Sequence, residues 1–361
     1  MKAKNVSPLT LSCGLRLSGM KRCPALVLLL ALLAPRALAS DRIQLQFNTD
    51  QPDAVLAILA SPTPTDADWQ RLFKSEPYVR LKQREAHFHN DFTDDDFRKF
   101  VLSPDLRKQA PELRRTLDAW KKADLKASAQ RVLAYLPAQA YIHAKVFPVI
   151  KPSHNSFVFE PSTDAAIFLY LDPEESAAKF ENKVAHELHH IGFSSVESAS
   201  DAQTKSLSPN VKAAVEWMGA FGEGFAMLAA AGGPDVDPQA TSSAQDHARW
   251  DHDMANFNPD LRKLDQFFAN IVNGKFKSRD EIDDAGGEFF GEQGPWYTVG
   301  YKMAVIVEKR YGRDTLIDCM VDPRELLVRY NAAAAELNRG GKEHLELWSP
   351  ELLAVDGFTK R

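Results

Sequence analysis

Cysteine is nearly absent from the 361-residue sequence, with Cys13, Cys23 and Cys319 the only three. That is too few for a disulfide framework or a four-thiolate zinc ribbon, so any metal site must be built from histidine and carboxylate. No long apolar run is present: Ala25 to Ala34 is the best, about half of the roughly 20 residues a bilayer-crossing helix needs. A basic excess is missing too, with 44 Lys+Arg against 49 Asp+Glu, which argues against a nucleic-acid partner that would have to be held by positive charge. There is no Walker loop, no G-x-G-x-x-G after a strand, no G-x-S-x-G and no internal repeat. Nucleotide, dinucleotide and serine-hydrolase chemistries therefore have no support. What remains, at 44% apolar and 10% aromatic residues, is an ordinary globular chain of one or two domains, not a disordered or fibrous one.

Lys21 and Arg22 precede the apolar run, and Ala37-Leu38-Ala39 forms an A-x-A cleavage signal before Ser40. Residues 1–39 thus read as a signal peptide, with Met1 or Met20 as the start and cleavage near Ala39/Ser40. No Cys follows the apolar run, so Cys23 is not expected to carry a lipid. Removing Lys2, Lys4, Arg16, Lys21, Arg22 and Arg36 leaves 38 basic against 49 acidic residues, a mature charge near −11, with Cys319 as sole thiol. The expected location is periplasmic or secreted, with no membrane span after cleavage.

Alternation over Ile43–Phe47 suggests a strand, and Pro52–Leu59 a helix. Apolar residues at three and four spacing then predict helices over Asp66–Phe73, Asp94–Leu102, Ala110–Trp120 and Asp124–Leu136, so residues 40–140 read as an N-terminal helical region. His87 and His89, in R-E-A-H-F-H-N-D before Asp94, Asp95 and Asp96, are read as solvated or substrate-facing. Three β-branched and aromatic runs, Ala144–Ile150, Ser156–Phe159 and Ala165–Leu171, predict a small sheet. A helix should follow, with Asp172 as N-cap, Pro173 and Glu175 in its first turn and Gly192 as its stop. On it Phe180, Val184, Leu188 and Ile191 make a buried stripe, and His186 and His190 point the other way.

Those two histidines belong to H-E-x-x-H, running His186, Glu187, Leu188, His189, His190. Imidazoles four residues apart on a helix can both reach one tetrahedral Zn²⁺, and the intervening Glu187 can hold and deprotonate the attacking water. One zinc per chain needs a third ligand. The expected one is Glu223, between Gly222 and Gly224 on a helix begun by Ser208 and Pro209, with Glu216, seven residues earlier, as runner-up. The flanking glycines suggest a close approach to the active-site helix. His189 is expected to hydrogen-bond rather than ligate.

These residues resemble the gluzincin metallopeptidases, in which H-E-x-x-H is completed by a Glu on a following helix. The similarity is closer, over Ala165 to Asn331, to a little-characterised group of zinc-dependent peptidases with an E-G-x-A ligand helix and a Y-x-x-G-Y-x-M-A segment, here Tyr297 to Ala304. The resemblance implies an α+β, mainly helical fold: a zincin-like small sheet over the active-site helix, then a helical C-terminal part, with residues 141–361 as the metallopeptidase region. It also implies hydrolysis of a peptide or protein substrate. Thermolysin-like relatives carry an Asp four residues after the ligand Glu, where this chain has Met227, and the third His of the metzincins would fall at Val196.

An oxyanion donor is also required. Tyr297, on a helix starting near Pro295, is the first candidate, with Tyr301 and His252 behind it. The Gly- and acid-rich stretch from Asn273 to Gly294, with Asp283, Asp284 and Glu288, is a candidate cleft rim or a plain surface loop. A di-iron bundle would need a second E-x-x-H, and no Glu except Glu187 has a His three residues on. The remaining alternative is a catalytically inactive zinc-binding envelope protein of zincin fold, against which the presence of Glu187 speaks.

Overall fold

Strand β1 (Ile43–Phe47) pairs in parallel with β2 (Ile142–Val149), placing Ile43 beside Ile142 and Phe47 beside Val146. In this computed structural model, which describes residues 42–196, 204–341 and 343–358, β2 also pairs in parallel with β4 (Ala166–Tyr170), and the short β3 (Phe157–Phe159) runs antiparallel along β4. The sheet order is β1-β2-β4-β3. Residues 1–39, read as a signal peptide, and the thiols Cys13 and Cys23 lie outside the described residues.

The two-residue period of the strands divides the apolar side chains between two faces. Val146, Ile167 and Leu169 join the main core with Phe180, Val184, Leu188 and Ile191, whereas Phe147, Val149, Ala166 and Phe168 form a second cluster with Leu81. The connection from β1 to β2 passes through α1 (Asp50–Ala60), α2 (Asp66–Phe73), α3 (Glu76–His87), α4 (Asp94–Val101), α5 (Pro104–Trp120) and α6 (Leu125–Leu133). Capping boxes at Thr65/Asp68 and Thr93/Asp96 start α2 and α4. Because β1 belongs to the same sheet as β2, the sheet crosses the boundary drawn at residue 140. His87 ends α3 and His89 sits in the turn beyond it, both exposed.

The helix bearing H-E-x-x-H, α7 (Ala177–Ser194), starts later and ends later than its signals suggested. Ser176 is the cap, its Oγ accepting from Lys179 N at 3.1 Å, while Asp172 closes a separate turn by accepting from Glu174 N at 2.9 Å. Asp-Pro initiates turns as readily as helices, which is why the two could not be told apart locally. Gly192 does not stop α7. It lies inside the helix, where a Cβ would meet Leu136 Cδ1 at 2.3 Å and Ile142 Cγ1 at 3.1 Å.

The expected ligand helix is broken into α8 (Pro209–Met218), a 3₁₀ turn (Gly219–Phe221) and α9 (Gly222–Ala231). Then come α10 (Ala244–Ala255), α11 (Phe257–Val272), α12 (Arg279–Gly287), α13 (Pro295–Tyr311), α14 (Arg313–Val321) and α15 (Pro323–Arg339). The stretch expected as a loop thus contains α12, capped by Ser278. Gly224 does permit a close approach, but to α13 rather than to α7: a Cβ would lie 2.0 Å from Tyr301 N and 2.3 Å from the Gly300 carbonyl carbon, and Gly222 faces open space. Gly224→Ala should therefore destabilise the protein by about 3 kcal/mol or more, read as a lowered midpoint in urea unfolding. Among the described residues the protein is α+β and mainly helical, and no helix there is long and apolar enough to cross a membrane.

Candidate metal centre and cleft

One helical turn separates His186 from His190, so both imidazoles leave α7 on the side away from its apolar stripe. The 3₁₀ turn redirects the chain so that Glu223, in the first turn of α9, reaches them. His186 Nε2 lies 3.0 Å from Glu223 Oε2 and 3.1 Å from His190 Nε2, and His190 Nε2 lies 3.3 Å from Glu223 Oε2. Three donors about 2.1 Å from a tetrahedral zinc stand about 3.4 Å apart, so this triangle is nearly one face of that tetrahedron. Among the described residues it is the only such group of His, Cys, Asp or Glu able to hold a metal ion.

Electrostatics fit the same reading. Burial would raise the Glu223 carboxyl, but the His190 charge and hydrogen bonds from both histidines hold it well below the usual range. Burial likewise opposes charge on His190, and the Glu223 carboxylate overcomes it, pushing the imidazole up to about 9. Tyr297, at the start of α13, lies parallel to the His186 ring with centroids 6.2 Å apart. Burial, the Glu223 and Glu187 carboxylates and a hydrogen bond to Glu223 raise its phenol far above normal. Glu187 faces the cleft, and its carboxylate makes no hydrogen bond or ion pair among the described residues.

The other candidates are placed elsewhere. Glu216 is exposed and paired with Arg279 at 2.5 Å and Lys212 at 3.9 Å. Tyr301 is a packing residue, edge-on to Trp250, donating to the Val236 carbonyl at 3.4 Å. His252 is exposed beside Asn256. His189 is not a ligand, and the hydrogen bond expected of it is not made: it is 1% exposed with neither ring nitrogen partnered among the described residues, and burial keeps it neutral by lowering its pKa.

The cleft, about 390 Å³, is more polar than the motif alone suggested. Lys179, Asn182 and Lys183 continue the His186 face of α7 along its floor, and Asp246 and Arg249 of α10 form the opposite wall. Lys179 pairs with Asp246 at 2.8 Å, Lys183 with the buried Glu175, and Arg249 with Glu292. Glu292 and Gln293, from the acid-rich stretch, and His154, stacked on Tyr170 at 4.5 Å, complete the rim. The floor lysines could have been found from their three- and seven-residue spacing to His186. His154, Arg249 and Glu292 carry no local signal.

Fold and cluster together define a helical α+β protein with an H-E-x-x-H helix completed by a glutamate. The family described as putative zinc dependent peptidase matches residues 69–339, a span that holds His186, Glu187, His190, Glu223 and Tyr297. The chain belongs to that family. No curated protein and no solved structure matches it.

Proposed function

We propose that the protein is a peptidase that binds one zinc ion through His186, His190 and Glu223 and cleaves peptide bonds with Glu187 as general base. The observation that carries this is the donor triangle, three ligand atoms 3.0 to 3.3 Å apart, beside a cleft lined by His186 and Glu187. When bound, zinc supplies a Lewis acid that polarises a peptide carbonyl and makes water acidic enough to attack near neutral pH. Glu187, unpartnered and facing the cleft, takes the proton of the attacking water and hands it to the leaving amine. Tyr297 donates its phenolic proton to the oxyanion, and its raised pKa keeps that proton in place at neutral pH. The small sheet packed on α7 and the helices that follow support a zincin-like fold. The polar, charge-paired cleft suits substrates with polar side chains, and the leader-like residues 1–39 support a periplasmic or secreted location. A zinc protein without turnover is the weaker reading, since Glu187 has no hydrogen-bond or ion-pair partner among the described residues to explain its placement.

Chelation should abolish hydrolysis of a mixed-peptide substrate and added zinc restore it. Because His190 is protonated up to about pH 9 without metal, zinc binding at pH 7 should release about one proton, and affinity should rise with pH up to about 9. Calorimetry in buffers of different ionisation enthalpy reads both, and binding without proton release would mean that His190 is already neutral in the metal-free protein. Tyr297→Phe should keep zinc and lower kcat by about 10²- to 10³-fold; zinc loss in that variant would make the hydroxyl a support for Glu223 instead.

A further inference from the structure

On the other face of the sheet from α7 lies a second cavity, of about 460 Å³, between α3, the start of α4 and the loop that leaves β2. Its apolar wall is Leu81, Phe92, Phe97 and Pro152, and its polar end is Arg84, Glu85 and Lys151. Lys151 is only 3% exposed, and its ammonium donates to neutral oxygens, Ser153 O at 2.7 Å, Ser153 Oγ at 2.9 Å and Asn155 Oδ1 at 2.5 Å. The nearby Glu85 carboxylate is already bound by Arg84 at 2.8 Å. Asp96, also on the lining, has its own cation in Lys99 at 3.5 Å and accepts from the Thr93 amide and hydroxyl. Two cations against one available anion leave the polar end one positive charge in excess, in a place where burial makes uncompensated charge costly. Burial pushes the Lys151 ammonium down to about 8, with Glu85 opposing and Arg84 reinforcing the effect.

An apolar pocket of this size with a few convergent polar groups is the ordinary form of a small-ligand site. We propose that this cavity binds a small hydrophobic carboxylate, its anionic end beside Lys151 and Arg84 and its apolar body against Leu81, Phe92 and Phe97. The site does not depend on zinc or on the peptidase reading. It does adjoin the cleft: Pro152, Ser153 and Asn155 line the cavity, whereas His154 and Ser156 of the same loop line the cleft on the other side. A ligand here would brace that loop from behind.

The test is calorimetric titration of the folded mature chain with N-acetyl-L-leucine and with N-acetyl-L-leucinamide, which lacks the charge. Saturable binding of the acid, at least about tenfold tighter than the amide, is expected, together with a shift of the His154 imidazole resonances. Arg84→Gln should weaken the acid about tenfold, and Pro152→Trp, a change at an exposed position on the cavity mouth, should block it without touching the core. Equal affinity for acid and amide, absence of saturable binding, or undiminished binding in Pro152→Trp, which would place the acid at the zinc cleft, each overturns the proposal.

Discussion

Glu187→Gln is expected to retain one zinc per chain and to lose about 10³-fold or more in kcat, measured on a peptide substrate with metal content determined on the same sample. The substitution keeps the size and polarity of the side chain but removes its capacity to take a proton. Glu187 lies outside the donor triangle of His186, His190 and Glu223, so metal binding and turnover should separate cleanly. Undiminished activity in this variant would sink the general-base assignment.

The second large effect is expected at Glu223. Glu223→Ala should weaken zinc binding by more than about 100-fold, since even groups that only orient a metal ligand are worth 10- to 100-fold, whereas Glu216→Ala should leave metal content unchanged. The Glu223 change also removes the carboxylate that charges His190 against its burial, so the pKa of the metal-free imidazole should fall, visible in its NMR pH titration. Equal zinc retention in the two variants would mean that Glu223 is not the third ligand.

The candidate ligands that the structure brings together were legible because their signals are short-range. H-E-x-x-H is a spacing within one turn, and Glu223 is singled out by a motif of a few residues. Glu223 lies beside the histidines and Glu216 does not, for a reason that spacing does not reveal: the 3₁₀ turn Gly219–Phe221 interrupts the helix, so seven residues no longer amount to the same face. The sheet was read nearly to its ends because its strands are dense in β-branched and aromatic residues. The start of α7 was misread because Asp172-Pro173 satisfies two local rules at once, and Ser176, with its extended backbone at φ −69° and ψ 156°, is the one that caps. Arg249, Glu292 and His154 were out of reach, since each enters the cleft from a distant element and none carries a spacing to the motif. Glycine gave a correct cue with the wrong partner: Gly224 marks a close crossing, but with α13.

That crossing has a consequence for how Glu223 is held. A Cβ on Gly300 would come within 2.9 Å of Phe221 O and 3.4 Å of Gly224 Cα, so α9 and α13 touch backbone to backbone, with Glu223 beside the contact and Tyr297 one turn away. Such a joint has no side chains to compress and resists spreading. Calcium needs oxygen ligands at about 2.3 to 2.6 Å and six or more of them, which would demand a wider and more populated cage. The glycine joint thus fixes Glu223 relative to Tyr297, and discrimination against calcium at the proposed site would rest on its two imidazole donors and single carboxylate.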